Sequence, residues 1–300
     1  MATISAVKSV RLPATMSGYQ KEFKMSYRTL LSVNPKTEKS EVETRILHLA
    51  PSNTSSVINV CKGAGNCRSI CLHFAGNPVQ MPTKTIGRIR RTVAYARSDY
   101  NFLSVLISSI LYERTIHGDH LAIRLNGTSD IAWENISYTV TPEFTAFWQR
   151  KFNVLIAPGN YENIFEVLRN QDIEFYDYTK IERDWQYCKR LNYHLTFSLD
   201  GLNNKENLLI ARRAYENGVK LAAAFNVKKG RPLPSILRTN FLWPKDSMIS
   251  ADCMSIYDGD LSDYRPADPK DCSIIGLRFK LPHGLKRKFT AKERDNFCVG

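Results

Sequence analysis

With 300 residues, 43% of them hydrophobic and 24% charged, the chain can build one large domain or two small ones, and it lacks the bias of a disordered or fibrous protein. Its best apolar stretch, residues 102–112, is too short to cross a bilayer and is expected to form a buried helix, so no membrane partner is expected. A net charge of +13 directs attention to polyanions, nucleic acid or a nucleotide first.

In chain order, residues 1–40 are polar and mixed and are expected to form an irregular arm. Their opening, "MATISAVKSVRLPATMSGYQ", has no apolar signal-peptide core, which makes the cytoplasm the expected compartment. An α/β domain is expected over 41–282 and a basic tail over 283–300. "ETRILHLAP" (43–51) is a first strand closed by Pro51. A glycine-rich loop with Cys61, Cys67 and Cys71 follows it. Residues 82–118 have helical apolar spacing, with a break near Ser98 and Asp99, where a side chain can cap a second helix. Short β-rich runs recur at 120–126, 173–179, 193–198, 219–226, 254–260 and 273–279. Helical patterns lie between most of them: 141–152, with Thr141 before Pro142 as N-cap and first-turn proline; 160–170; and 204–218, ending at Gly218.

Near-continuous apolar strands alternating with helices indicate a mainly parallel sheet covered by helices. The fold class is therefore α/β. A single domain is expected, built as a partial or distorted (β/α) barrel with the cysteine loop after its first strand; a doubly wound sheet fits the same pattern. In either, polar segments just after the strands meet on one rim. Those segments are 126–130, 176–180, 197–201, 225–230 and 257–265.

The chain has seven cysteines, an odd number in a sequence that reads as cytosolic, so the cluster of three points to metal or catalysis rather than disulfides. One candidate is zinc, with His73, Cys253 or Cys272 as the fourth ligand. The other is a [4Fe–4S] cluster on Cys61, Cys67 and Cys71, with one iron left open for a substrate or cofactor. Gly63 and Gly65 permit the tight curve that gathers three sulfurs.

A strand, a three-cysteine loop, a helix and further βα units resemble the radical S-adenosylmethionine superfamily, whose usual loop spacing is C-x3-C-x2-C where this chain has C-x5-C-x3-C. The resemblance implies S-adenosylmethionine on the open iron. It places "RLNGTSDIAWE" (124–134) where that superfamily binds the methionine end, through Asn126, Gly127, Ser129 and Asp130. A closer resemblance, carried by "CKGAGNCRSICLHFAGN" (61–77), "RLNGTSDIAWE", "FYDYTK" (175–180), "NYHLTFS" (192–198), "NPKTEKS" (34–40), "LAPSNTS" (49–55) and residues 258–280, is to bacteriophage proteins of the gene product eighty-eight family. It implies a phage origin and a metal-dependent role.

Other groups are read beside these. Asp177, Lys180 and Ser198, at strand ends, are expected to face the substrate. Lys84, Arg88 and Arg91 share a helix face suited to nucleic-acid or nucleotide phosphates, or simply to solvent. Asp258, Asp260, Asp263 and Asp268 with Arg265 can form a hard-metal site or an ion-paired turn. The basic run 285–294 is expected to be an exposed tail, and His117 and His194 structural or exposed. No nucleophile elbow, P-loop or zincin helix is present. The leading expectation is a phage iron–sulfur enzyme acting on a nucleotide or nucleic-acid base. The alternative is a zinc-stabilised basic protein that binds nucleic acid or a host factor without catalysis. A metal-dependent hydrolase using the aspartates is a third.

Overall fold

The structure is a computed structural model and describes residues 13–33, 42–74, 82–238, 253–270, 274–280 and 290–299. Segment 34–40, Cys272, the side chain of Cys253 and residues 285–289 of the basic run lie outside the described residues.

Chain order begins with helix α1 (Ala14–Glu22), inside the stretch expected to be irregular. Met16, Tyr19 and Phe23 recur at helical spacing and are buried, followed by Met25, Tyr27, Leu30 and Leu31. This segment docks on helix α3 and belongs to the main core, so the irregular-arm reading is corrected for residues 13–33. Strand β1 (Glu43–Ile46) leads into the long loop that carries the cysteines. Helices α2 (Pro82–Arg97) and α3 (Asp99–His117) part at Ser98, whose Oγ accepts the Asn101 N–H at 3.2 Å. Nearly every residue from 102 to 111 of α3 is buried, which explains a helix that is apolar all round.

After β2 (Leu121–Arg124), β3 (Tyr138–Val140) and β4 (Gly159–Tyr161) form a small antiparallel pair around α4 (Pro142–Phe152). Then come α5 (Ile164–Val167), β5 (Glu174–Thr179), α6 (Trp185–Arg190), β6 (Tyr193–Ser198), α7 (Lys205–Glu216) and β7 (Lys220–Phe225). Gly218 has φ +71° just past α7, the left-handed position that ends helices. The last elements are β8 (Ile236–Arg238), β9 (Cys253–Asp258), β10 (Ile274–Arg278) and α8 (Ala291–Phe297). Helix α8 occupies the end of the expected tail, capped reciprocally by Thr290 and Glu293, and Cys298 and Val299 behind it are buried.

Eight strands form one sheet in the order β1-β2-β5-β6-β7-β10-β9-β8. Every pairing is parallel except β8 with β9. From β1 to β10 the order only ascends, so right-handed crossovers all step one way and put the helices on one face. A doubly wound sheet would reverse and cover both faces. The barrel expectation holds only as far as single winding: β1 and β8 are the sheet's two edges, and no pairing between them closes it among the described residues.

The helix face carries two apolar clusters. Ile123, Phe175, Phe197 and Ala223 point into them, each worth about 1–3 kcal/mol according to the apolar area it removes from water. Alternate residues point the other way: Arg124, Tyr178, Ser198, Ala222 and Ala224 line a cavity. The loop after β9 crosses this second face. Tyr264 sets its edge on Tyr176 at 5.6 Å, and Lys220 Nζ donates to the Asp268 carbonyl at 2.7 Å.

Candidate functional site

The cavity, about 660 Å³, opens at the carboxyl ends of the parallel strands. Residues at the ends of β1, β2, β5, β6, β7 and β10 line it, together with Cys61, Cys67 and Cys71. Of the expected rim segments, 126–130, 176–180, 197–201 and 257–265 contribute residues to this lining, and 225–230 does not.

The cysteine loop is held by a residue far away in sequence. Asp200, 0% exposed just past β6, accepts the N–H groups of Asn66 at 2.6 Å and Cys67 at 3.0 Å. That carboxylate satisfies the start of the short 3₁₀ turn Asn66–Arg68. Asn66 Nδ2 in turn reaches the carbonyls of Asp200 and Asn296, tying the loop to β6 and α8. The approach is so close that a Cβ at Gly65 would lie 2.3 Å from Asp200 Oδ2. Burial pushes the thiols of Cys61 and Cys67 up to about 12 and that of Cys71 up as well. Each of the other two cysteines adds to the rise at Cys61, and Cys71 to that at Cys67, so the three groups share one electrostatic neighbourhood. Lys180 opposes the shift at Cys67 and Arg88 at Cys71.

Among the described residues no group of three or more His, Cys, Asp or Glu is arranged to hold a metal ion. His73, a candidate fourth zinc ligand, is buried with its Nδ1 2.7 Å from Arg88 Nη1. A guanidinium there repels a cation.

The segment 126–130 lines the cavity, but its polar side chains are spent on its own shape. Asn126 Oδ1 accepts from Ser129 Oγ, the Ile131 N–H and Trp133 Nε1 at 2.9–3.1 Å, and its Nδ2 donates to the Ile131 carbonyl and Tyr193 Oη. Asp130 accepts from Thr179 Oγ1 and the Lys180 N–H at 2.8 Å and from Arg183 Nη2 at 2.9 Å. Gly127 sits where a Cβ would come within 2.4 Å of Ile46 and 2.7 Å of His48 Nδ1.

Of the strand-end candidates, Asp177 faces away from the cavity. It is 0% exposed and accepts the N–H groups of Leu125 and Asn126 and the Tyr193 hydroxyl at 2.9–3.0 Å. It positions β2 and β6 rather than touching a substrate, and burial pushes its carboxyl up to about 7 despite Arg124 and those donors. Lys180 lines the cavity. Its Nζ donates to the carbonyls of Ser198 and Leu199 at 3.1 and 2.8 Å and lies 3.4 Å from Asp200. Ser198 also lines it. The helix-face trio divides: Lys84 is exposed, Arg88 is buried in the cavity wall, and Arg91 donates to the His48 carbonyl at 2.9 Å. They do not form an outward phosphate-binding stripe. The aspartate loop is ion-paired: Asp258 and Asp260 with Arg278 at 2.7 and 3.2 Å, Asp268 with Arg265 at 3.3 Å. His194 is half exposed, and His117 meets Glu113 at 3.4 Å.

A family model described as Gene product 88 matches residues 22–299. The chain belongs to this phage family. No curated protein matches it, and no solved structure does. No described helix is long and apolar enough to cross a membrane.

For this Gene product 88 member, sequence reasoning passed over four residues that shape the site: His48, Arg124, Arg183 and Asp200. His48 and Arg124 occupy strand-end positions on the cavity side of β1 and β2, a signal that alternation along each strand carries. Asp200 and Arg183 had none, since each acts on backbone or carboxylates at least 49 residues away.

Proposed function

We propose that this Gene product 88 protein is an iron–sulfur, radical-SAM-like enzyme acting on a nucleotide or nucleic-acid base, in the host cytoplasm. The observation that carries the reading is Cys61, Cys67 and Cys71 together on the wall of one cavity at the carboxyl rim of a parallel sheet. The reading takes Cys61, Cys67 and Cys71, which share that cavity wall, as the ligands of a larger, multi-iron group. When bound, such a cluster with one open iron supplies single-electron chemistry to S-adenosylmethionine.

The protein's part follows from its own residues. Lys180 beside Cys67 and Arg88 beside Cys71 favour the thiolate forms that ligation needs. Asp200 keeps the Cys67 turn in place. Asn126, Ser129 and Asp130 hold the 126–130 segment in shape against the cavity, where its backbone and Thr128 would meet the cofactor. Phe74, Phe279 and Phe297 give the cavity apolar wall, which excludes water from reactive species. The basic lining, with Arg68, Arg88 and Arg278, and the +13 net charge favour an anionic substrate such as a nucleotide.

The test is anaerobic purification followed by an optical spectrum and iron, sulfide and zinc analysis. A brown protein with a broad band near ~400 nm and about four irons per chain, lost in Cys67→Ala, is expected. Cleavage of S-adenosylmethionine is then assayed. One zinc per chain and a colourless protein would sink the proposal.

A further inference from the structure

Helix α2 sends two arginines beneath the rim. Arg88 is 8% exposed and lines the cavity. Among the described residues its guanidinium meets only a neutral acceptor, His73 Nδ1 at 2.7 Å. Arg91 likewise meets only the His48 carbonyl. Burial pulls both guanidiniums below their ordinary value, the mark of positive charge without a compensating carboxylate. Across the cavity wall Arg124 is held between the rings of Tyr176 and Tyr178, at 5.5 and 5.4 Å. Asp177 lies 3.8 Å from its Nε, beyond hydrogen-bond reach, and Asp263 acts on it at longer range.

Between these arginines stands His48. Burial first, and then the charges of Arg88, Arg124 and Arg91, push its imidazole down to about 3, so it is neutral at ordinary pH. Three buried atoms have no hydrogen-bond partner among the described residues and belong to residues lining this one cavity: His48 Nδ1, Arg124 Nε and Ser52 Oγ. Buried polar atoms go unpartnered rarely. Here Arg88, a positive charge with no carboxylate partner among the described residues, and Arg124, held only loosely by Asp177, both act on one imidazole.

We infer that this corner of the cavity is an oxyanion subsite, in which Arg88 and Arg124, beside His48, take the phosphate or carboxylate of a small substrate. Guanidiniums match such groups through paired N–H donors. The burial of Arg88 suits a small molecule inside the cavity rather than the backbone of a duplex lying on the surface. The inference rests on the reading of the cavity as a substrate chamber and needs no cluster. It names the chemistry of the substrate's anchoring group.

The experiment uses the full chain, purified without iron or sulfide. Inorganic phosphate and acetate are titrated separately by calorimetry and by thermal unfolding. At least one anion is expected to bind saturably and raise the melting temperature as mass action requires. Tighter phosphate assigns a phosphate-bearing substrate, and tighter acetate a carboxylate. Arg88→Met and Arg124→Met should each weaken that binding about tenfold or more. Arg88→Met should melt no lower than the wild type without anion, because an apolar chain of similar length replaces an unpaired buried charge. If Arg88→Met does not fold, Arg88→Lys and Arg124→Met carry the test, both with weakened binding. No saturable binding, or equal binding in wild type and variants, overturns the inference as a general salt effect. A colourless, iron-free protein would end the cluster proposal and leave this titration standing. Lost anion binding would leave the iron result standing.

Discussion

Arg183 and Arg88 are both nearly buried, 6% and 8% exposed, yet they do opposite things. Arg183 holds Glu134 with Nη1 at 2.9 and 2.8 Å to its two oxygens, and Asp130 and the Ile131 carbonyl with Nη2. Its proton is bound more firmly than an ordinary arginine's, with burial overcome by surrounding anionic groups. Arg88 has a neutral imidazole and the thiol of Cys71 for company. One guanidinium is a finished lock that fixes the segment after β2. The other stands in the cavity wall with its charge unanswered by any carboxylate among the described residues. A buried charge that is fully matched serves the fold, and one left unmatched at a cavity wall is available to a ligand.

The strongest way to break this contrast is to remove each lock in turn. Arg183→Met leaves Asp130 and Glu134 without their cation, and a loss of about 3–5 kcal/mol is expected in urea denaturation. Arg88→Met should cost close to nothing in the same assay. Equal losses would erase the distinction between them.

Asp200→Ala comes next. It strips the acceptor from the Asn66 and Cys67 N–H groups, and about 2 kcal/mol of stability should go with it. Cys67 should then alkylate faster with iodoacetamide than in the wild type, while buried Cys188 does not. An unchanged Cys67 rate would mean that Asp200 does not hold the loop.

The smallest effects sharpen the comparison through pH. Asp177 has a folded value near 7 against an ordinary 3.8, so the folded state binds its proton more tightly. Its contribution is whole below about pH 4 and is lost as pH rises through 7. His48 has a folded value near 3 against 6.5. Its contribution is whole above pH 6.5 and is lost as pH falls toward 3. Each slope is at most about 1.4 kcal/mol per pH unit. Stability measured by urea at stepped pH should show a flatter decline from pH 4 to 7 in Asp177→Asn, and a flatter acid limb in His48→Asn. Profiles parallel to the wild type's would remove these two groups from the account.

Much of the scaffold was legible along the chain. Each of the expected strand segments contains a strand of the large sheet. Ser98 caps α3, and Gly218 ends α7. The cysteine loop follows β1 and opens onto the rim. These features depend on neighbouring residues: alternation along a strand, caps within a turn, a glycine at positive φ. Strands β3, β4 and β8 have three residues each, too few for a period to show. The pattern of Met16, Tyr19 and Phe23 was present but diluted by polar residues around it.

The candidate site was legible by location and not by role. The alternation of β5 shows that Asp177 and Tyr178 point to opposite faces, yet not which face is the core. Helical spacing puts Arg88 and Arg91 on one stripe, yet not whether that stripe meets water or the sheet. Only the packing of α2 against α3 and the segment after β1 turned them inward. Only folding brought Asp200 to Cys67 across 133 positions and Arg183 to Glu134 across 49. Local spacing sets which elements form because backbone propensity and periodicity act between near neighbours. Which charges end up matched, and which remain for a ligand, depends on pairings between distant segments that no local pattern records.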